Sequence, residues 1–326
     1  MHVRHLAAWA AVLAIIGMGP AAAGQEPPGE AGGLPRTPDG QPDIQGVWTN
    51  FDNTPFEAPD DADVERLAAL AYWFPGTNDP DRLRSAAARP RHVELDDRIG
   101  FADGPHAALR NASRRSMVVD PPNGRVPVRP EAEATRDYNL VNLTDSWLNH
   151  TPWERCITRG VPGGIFPPGY GAGYQILQSP DHVVIYYEMI HEARIIPLDG
   201  RPHLPSAIRQ WNGDPRGRWE GNTLIVETTN YNDQGTIGTN IATRAIRGIP
   251  QSEALHVVER FTFRDVDTID YEVTIDDENA FTSAWKVAMP LNRDPAYQIY
   301  EYACHEGNYG LVYSLSAGRA EDAAGR

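Results

Sequence analysis

Thr268-Ile269-Asp270-Tyr271-Glu272-Val273-Thr274-Ile275 decides the fold class. Successive side chains of an extended chain point to opposite faces. Ile269, Tyr271, Val273 and Ile275 therefore share one side, and Asp270, Glu272 and Thr274 the other. A segment of this kind buries one face and wets the other. The same period runs through 255–264, 223–228, 183–189, 193–198, 285–291 and 297–302. Turn-forming residues separate these runs at Ser179-Pro180-Asp181, Asp199-Gly200, Asn212-Gly213-Asp214, Glu220-Gly221-Asn222, Asp265-Val266-Asp267 and Asp276-Asp277. Seven or eight antiparallel strands with short links predict a mainly β protein. An antiparallel lipocalin-like barrel suits near-sequential hairpins best, and a sandwich is the alternative.

Working outward, this pattern places a β-barrel domain over 171–313 and a flexible tail over 314–326. Upstream, 61–170 reads as an irregular region with one or two short helices. Asp60 or Asp61 can cap a helix whose Val64, Leu67, Ala71 and Phe74 share a face, and Pro75-Gly76 stops it. A short helix is expected near 81–88. A further one is expected from Pro130 to Leu143, with proline in its first turn. Ile44–Trp48 reads as a short strand, and 116–130 as a strand, a turn and an extended return. Residues 24–60 form a leader rich in proline and glycine.

The 326 residues include 28 Pro and 29 Gly, so elements should be short and much of the chain irregular. Hydrophobic residues make up 41%, enough for a packed core. The formal charge of −15 excludes the basic surface that nucleic acid requires. The only lysine is Lys286. Residues 1–23 read as a secretory signal: Arg4, an apolar run over 6–18, then Ala21-Ala22-Ala23. That run is too short to span a bilayer, and no transmembrane segment is expected in the mature chain. A periplasmic or secreted location follows. There Cys156 and Cys304 would form one disulfide, remain two buried thiols, or take a metal or nucleophile role.

Several stretches together resemble a group of exported, uncharacterised bacterial proteins. They are Pro-Asp-Ile-Gln-Gly-Val-Trp at 42–48, Val-Val-Asp-Pro-Pro-Asn-Gly-Arg at 118–125 and Glu-Arg-Cys-Ile at 154–157. Ile-Ile-Pro-Leu-Asp-Gly-Arg at 195–201, Gly-Arg-Trp-Glu-Gly-Asn-Thr-Leu at 217–224 and Tyr-Ala-Cys-His-Glu-Gly-Asn-Tyr at 302–309 complete the set. The resemblance covers most of the mature chain. It implies export and brings no catalytic residue with it.

The chain lacks the Gly-x-Ser-x-Gly nucleophile elbow, the His-Glu-x-x-His zinc helix and a phosphate-cradling loop. What remains is a sparse polar set at strand ends. His191 lies where two strands meet, and His305 lies beside Cys304 and Glu306. An imidazole titrates near neutrality and suits proton transfer. Glu188 would orient His191 or serve as acid, with Glu306 as the other candidate. Arg155 or Arg194 would hold negative charge. Trp211 and Trp219 flank a hairpin and suit core packing or a stacking platform. The expected function is an exported acid–base lyase or hydrolase that takes a small organic or sugar-like molecule in the barrel mouth. A ligand-binding barrel without turnover is the alternative. No cofactor is called for. A divalent metal on His191, His203 and His305 is the remaining option.

Overall fold

The alternating runs, 297–302 excepted, form one antiparallel sheet, as the computed structural model shows; it describes residues 33–50, 56–58, 116–167, 173–237 and 248–325. The segment read as a secretory signal and the helices expected near 60–74 and 81–88 lie outside the described residues. Strands β1 (Gly46–Thr49), β3 (Gly173–Ser179), β4 (His182–Tyr187) and β5 (Glu192–Pro197) pair in that order. So do β6 (Asp214–Glu220), β7 (Thr223–Thr229), β10 (His256–Asp265), β11 (Thr268–Asp276) and β12 (Trp285–Arg293). β1 joins the two sets: Trp48 lies opposite Arg293 on one side and opposite Tyr174 on the other. The ring thus follows chain order and nearly closes. The sheet is a barrel, not a sandwich. β2 (Val118–Asp120) adds to the free early edge of β12. A separate two-stranded pair is formed by β8 (Thr236–Ile237) and β9 (Ile249–Pro250).

Among the described residues, nine strands follow one another around the ring. With every ladder antiparallel, an odd number leaves one neighbouring pair parallel. That pair is β5 and β6, the two ends of the hydrogen-bonded path. A parallel pair cannot be joined by a tight turn. The chain accordingly takes a long excursion over 198–213 before β6 begins. The seam is closed by side chains: a Cβ at Gly217 on β6 would come within 2.8 Å of Ile196 Cγ2 and 2.7 Å of Leu198 Cδ2.

The inward faces form a single apolar core. Trp48, Phe261, Phe263, Tyr271, Trp285 and Met289 are each buried to 2% exposure or less. Full burial of a large apolar side chain stabilises by about 1.5–3 kcal/mol. Edge-to-face contacts order the rings, as between Trp48 and Phe263 at 6.4 Å and between Phe281 and Trp285 at 5.3 Å. The stretch before β1 crosses one barrel end. Arg36 donates to Asn222 at 3.1 Å, and Gln41 bonds Pro180 O and Trp219 Nε1, each at 2.9 Å.

Among the described residues, two α-helices accompany the sheet. Helix α1 (Pro130–Val141) starts at its proline, carries Glu131 and Glu133 in the first turn, and buries Ala132, Arg136 and Leu140. Helix α2 (Tyr309–Ala323) occupies the stretch read above as the barrel end and tail. Its Gly318 lies so close to the loop after α1 that a Cβ would fall 2.5 Å from Thr144 O. Tyr297–Tyr302 makes no strand. The edge of β12 that it would need is already taken by β1 and β2. Among the described residues, no helix is long and apolar enough to cross a membrane.

Candidate functional site at the turn between β4 and β5

β4 and β5 meet, as expected, at a tight turn over 188–191, and its backbone is strained. Ile190 and His191 adopt φ values of 66° and 47°. Left-handed backbone costs an L-residue roughly 1–2 kcal/mol, and it is least tolerable for a β-branched side chain. Observed strain of this kind is found at sites where geometry matters. The amide of His191 donates to Glu188 O at 3.0 Å and closes the turn. The ring is exposed, and its Nδ1 lies 3.0 Å from Tyr302 O. A carbonyl only accepts. In the neutral ring Nδ1 therefore carries the hydrogen, and Nε2 keeps its lone pair.

Glu188 has a different environment. It is 7% exposed, and the Tyr297 hydroxyl donates to its Oε2 at 2.7 Å. Burial raises its pKa above the ordinary carboxylate value, against the pull of the bonds donated by the Tyr297 hydroxyl and the Gly173 amide. Gly173 makes this pairing sterically feasible. A Cβ there would fall 2.7 Å from both Glu188 Oε2 and Tyr297 Cε1. Tyr187, the residue before, joins the apolar core.

Cys156 and Cys304 form a disulfide with a Cα separation of 5.5 Å. The bridge brings the loop around Arg155 to the segment that carries Tyr302. Cys156 itself has a φ of 58°, and Asn308 Nδ2 donates to its sulfur and to Glu154 O, each at 3.1 Å. Arg155 is half-buried. Its guanidinium lies 5.2 Å from the ring centroid of Trp147 and 5.9 Å from that of Trp211. Burial lowers its pKa from the ordinary arginine value. Glu192, next to His191, accepts from Thr158 Oγ1 at 2.7 Å and from Asn212 Nδ2. Its pKa is raised by burial. These contacts fasten both flanks of the turn.

The remaining residues expected at the site are spread out. His305 and Glu306 are exposed in the turn that follows Cys304. His203 Nδ1 lies 2.9 Å from Asp214 O and 3.2 Å from its carboxylate, beside β6. His191, His203 and His305 do not gather as a metal set: no cluster of three or more His, Cys, Asp or Glu suited to a metal occurs among the described residues. Arg194 lies inside the barrel, 4% exposed. Its Nη2 is 2.5 Å from Glu259 Oε2 and 2.9 Å from Thr228 Oγ1. The Tyr271 hydroxyl donates to the other Glu259 oxygen at 2.9 Å. Burial acts against the Arg194 charge, but the facing carboxylate outweighs it and holds the pKa above the ordinary value. Arg194 serves Glu259, in a setting apart from the exposed His191 ring.

Three contributors escaped the sequence reading. Glu259 was legible: it continues the apolar side of its strand, between Val257 and Phe261, and thus had to enter the core. Tyr297 and Trp147 carry no such signal, because both reach their partners through loops. Of the two hairpin tryptophans, Trp219 packs against the core and bonds Gln41, while Trp211 stacks on Arg155. No family model matches the chain, and no curated protein or solved structure is significantly similar to it.

Proposed function

We propose that the protein is an exported small-molecule enzyme, an acid–base lyase or hydrolase, that works at the turn between β4 and β5. One observation carries this reading: the Tyr302 carbonyl 3.0 Å from His191 Nδ1 leaves Nε2 as a proton acceptor on an exposed, backbone-strained ring. His191 is the general base. Glu188, kept protonated to higher pH by burial, is the acid, with Tyr297 fixing its carboxyl. Arg155 holds negative charge on the substrate. Such proton transfers need no cofactor. The N-terminal signal pattern and the Cys156–Cys304 bridge support a periplasmic or secreted setting.

The test is turnover of a panel of small esters, lactones and hydroxy acids by the full-length mature protein. His191→Ala is expected to abolish turnover while the Tm stays within a few degrees, since the ring is exposed. Unchanged turnover removes His191 from the mechanism. The second reading, a ligand-binding barrel without turnover, draws on a separate observation. Arg194 Nε and Nη1 are buried with no hydrogen-bond partner among the described residues, and a polar ligand or internal water would satisfy them.

A further inference from the structure

We propose that Trp147, Arg155 and Trp211 form a binding subsite for a carboxylate carried on a planar ring. This names the substrate class for the reading above, and its role in turnover rests on that reading. Its binding chemistry stands on separate observations.

The Arg155 guanidinium is held between two indoles, at 5.2 Å and 5.9 Å from their centroids. Its Nε is buried and has no hydrogen-bond partner among the described residues. Arg194, Arg209, Arg216 and Arg264 all pair with carboxylates, whereas Arg155 forms no such pair among the described residues. The neighbouring Glu154 carboxylate acts on Arg155 through its charge without forming an ion pair, and its Oε2 accepts from the Thr151 amide at 2.8 Å and the Thr151 hydroxyl at 2.9 Å. Of the Arg155 nitrogens only Nε is enclosed in this way, so a planar anion would meet the guanidinium on its Nη side. The flanking indoles are the right surface for the ring that bears it, and Trp147 is 51% exposed and open to contact.

The subsite is tied to His191 by two routes. Trp211 precedes Asn212, which donates to Glu192, the residue after His191. Arg155 precedes Cys156, which is bridged to Cys304, two residues beyond the Tyr302 carbonyl at His191 Nδ1. An acid held on Arg155 is thereby delivered to the part of the molecule where the proposed base sits. The chain's net charge of −15 repels anions at a distance. Screening confines that repulsion to about 8 Å at physiological salt, so recognition is left to direct contact.

The experiment is a titration of benzoate into the full-length mature protein, followed by tryptophan fluorescence, with benzamide as the neutral isostere. Benzoate is expected to bind saturably, and benzamide at least tenfold more weakly. Arg155→Met is expected to lose at least tenfold in benzoate affinity. Arg155→Lys, which keeps the charge without the planar fork, is expected to fall between. His191→Ala is expected to bind benzoate as the parent does, even where turnover is lost. That result separates a failure of the subsite from a failure of the catalytic reading. Equal binding of benzoate and benzamide, or an affinity unchanged in folded Arg155→Met, overturns the proposal. So does the absence of saturable benzoate binding up to about 20 mM. If Arg155→Met does not fold, Arg155→Lys decides the matter by the same comparison.

Discussion

Arg194 on β5 and Glu259 on β10 meet inside the barrel at 2.5 Å, with both side chains at 3% exposure or less. Removing one member of such a pair strands a charge in the core, at a cost of about 3–5 kcal/mol. Arg194→Met is therefore expected to be strongly destabilising in urea melts. Adding Glu259→Gln should recover most of the loss, because glutamine still accepts from Tyr271 and carries no charge. A double variant no more stable than Arg194→Met would show that the ion pair is not the source of the cost.

Glu188 ties stability to pH. Its pKa is raised in the folded protein from an ordinary value of 4.5. Well below that value the carboxyl is protonated in both states, and burial carries no ionisation cost. As pH rises through 4.5 toward the folded value, the unfolded chain ionises first and folded stability falls. Glu192 and Glu57, both raised by burial, act in the same direction. Glu188→Gln should raise the Tm by a few degrees at pH 8 and leave it unchanged at pH 4. An equal change at both pH values would count against a buried, ionising Glu188.

The Cys156–Cys304 bridge spans a sequence separation of 148 residues. Cross-linking so long a loop stabilises by about 2–5 kcal/mol. Unfolded, unreduced protein should show no reactive thiol, and Cys304→Ser should lower the denaturation midpoint accordingly. Turnover should fall further than stability requires, because the bridge also anchors the segment that presents Tyr302 to His191. Two titratable thiols in the unreduced chain would exclude the bridge.

Gly173→Ala tests the pairing of Glu188 with Tyr297. The new Cβ would fall 2.7 Å from both partners. One of them must move, at about 1–3 kcal/mol. The expected result is a modest loss of stability together with a shift of the acid-dependent limb of the pH–rate profile. A profile identical to the parent's would place Glu188 outside the chemistry.

The strands with long unbroken alternation were legible. β10, β11 and β12 alternate without a break, and their observed ends fall within two residues of the sequence reading. β6 was hidden. Asp214-Pro215-Arg216-Gly217-Arg218-Trp219-Glu220 has no apolar stripe, because its neighbour across the seam supplies the apolar contact and Gly217 must stay small. Tyr297–Tyr302 alternates as a strand does, yet alternation says nothing about whether a free edge exists. At the site, the hairpin position of His191 could be read from the turn between two periodic runs. Its tautomer-setting carbonyl could not, since Tyr302 is 111 residues away in sequence. The separation of Arg155 from Arg194 was likewise invisible. One is placed by a loop and a disulfide, the other by the inward phase of β5.

β1 is only four residues long, yet it is the clasp of the ring, and its partner Arg293 lies near the opposite end of the chain. A growing polypeptide can zip β3 to β5, and later β6 with β7 and β10 with β11, as hairpins of neighbouring sequence. It cannot fasten the circle until the last strand has been made. The early segment must wait through most of synthesis with its hydrogen-bonding edge unclaimed. Completion of the barrel is thus a late, long-range event whose rate is set by topology more than by local preference.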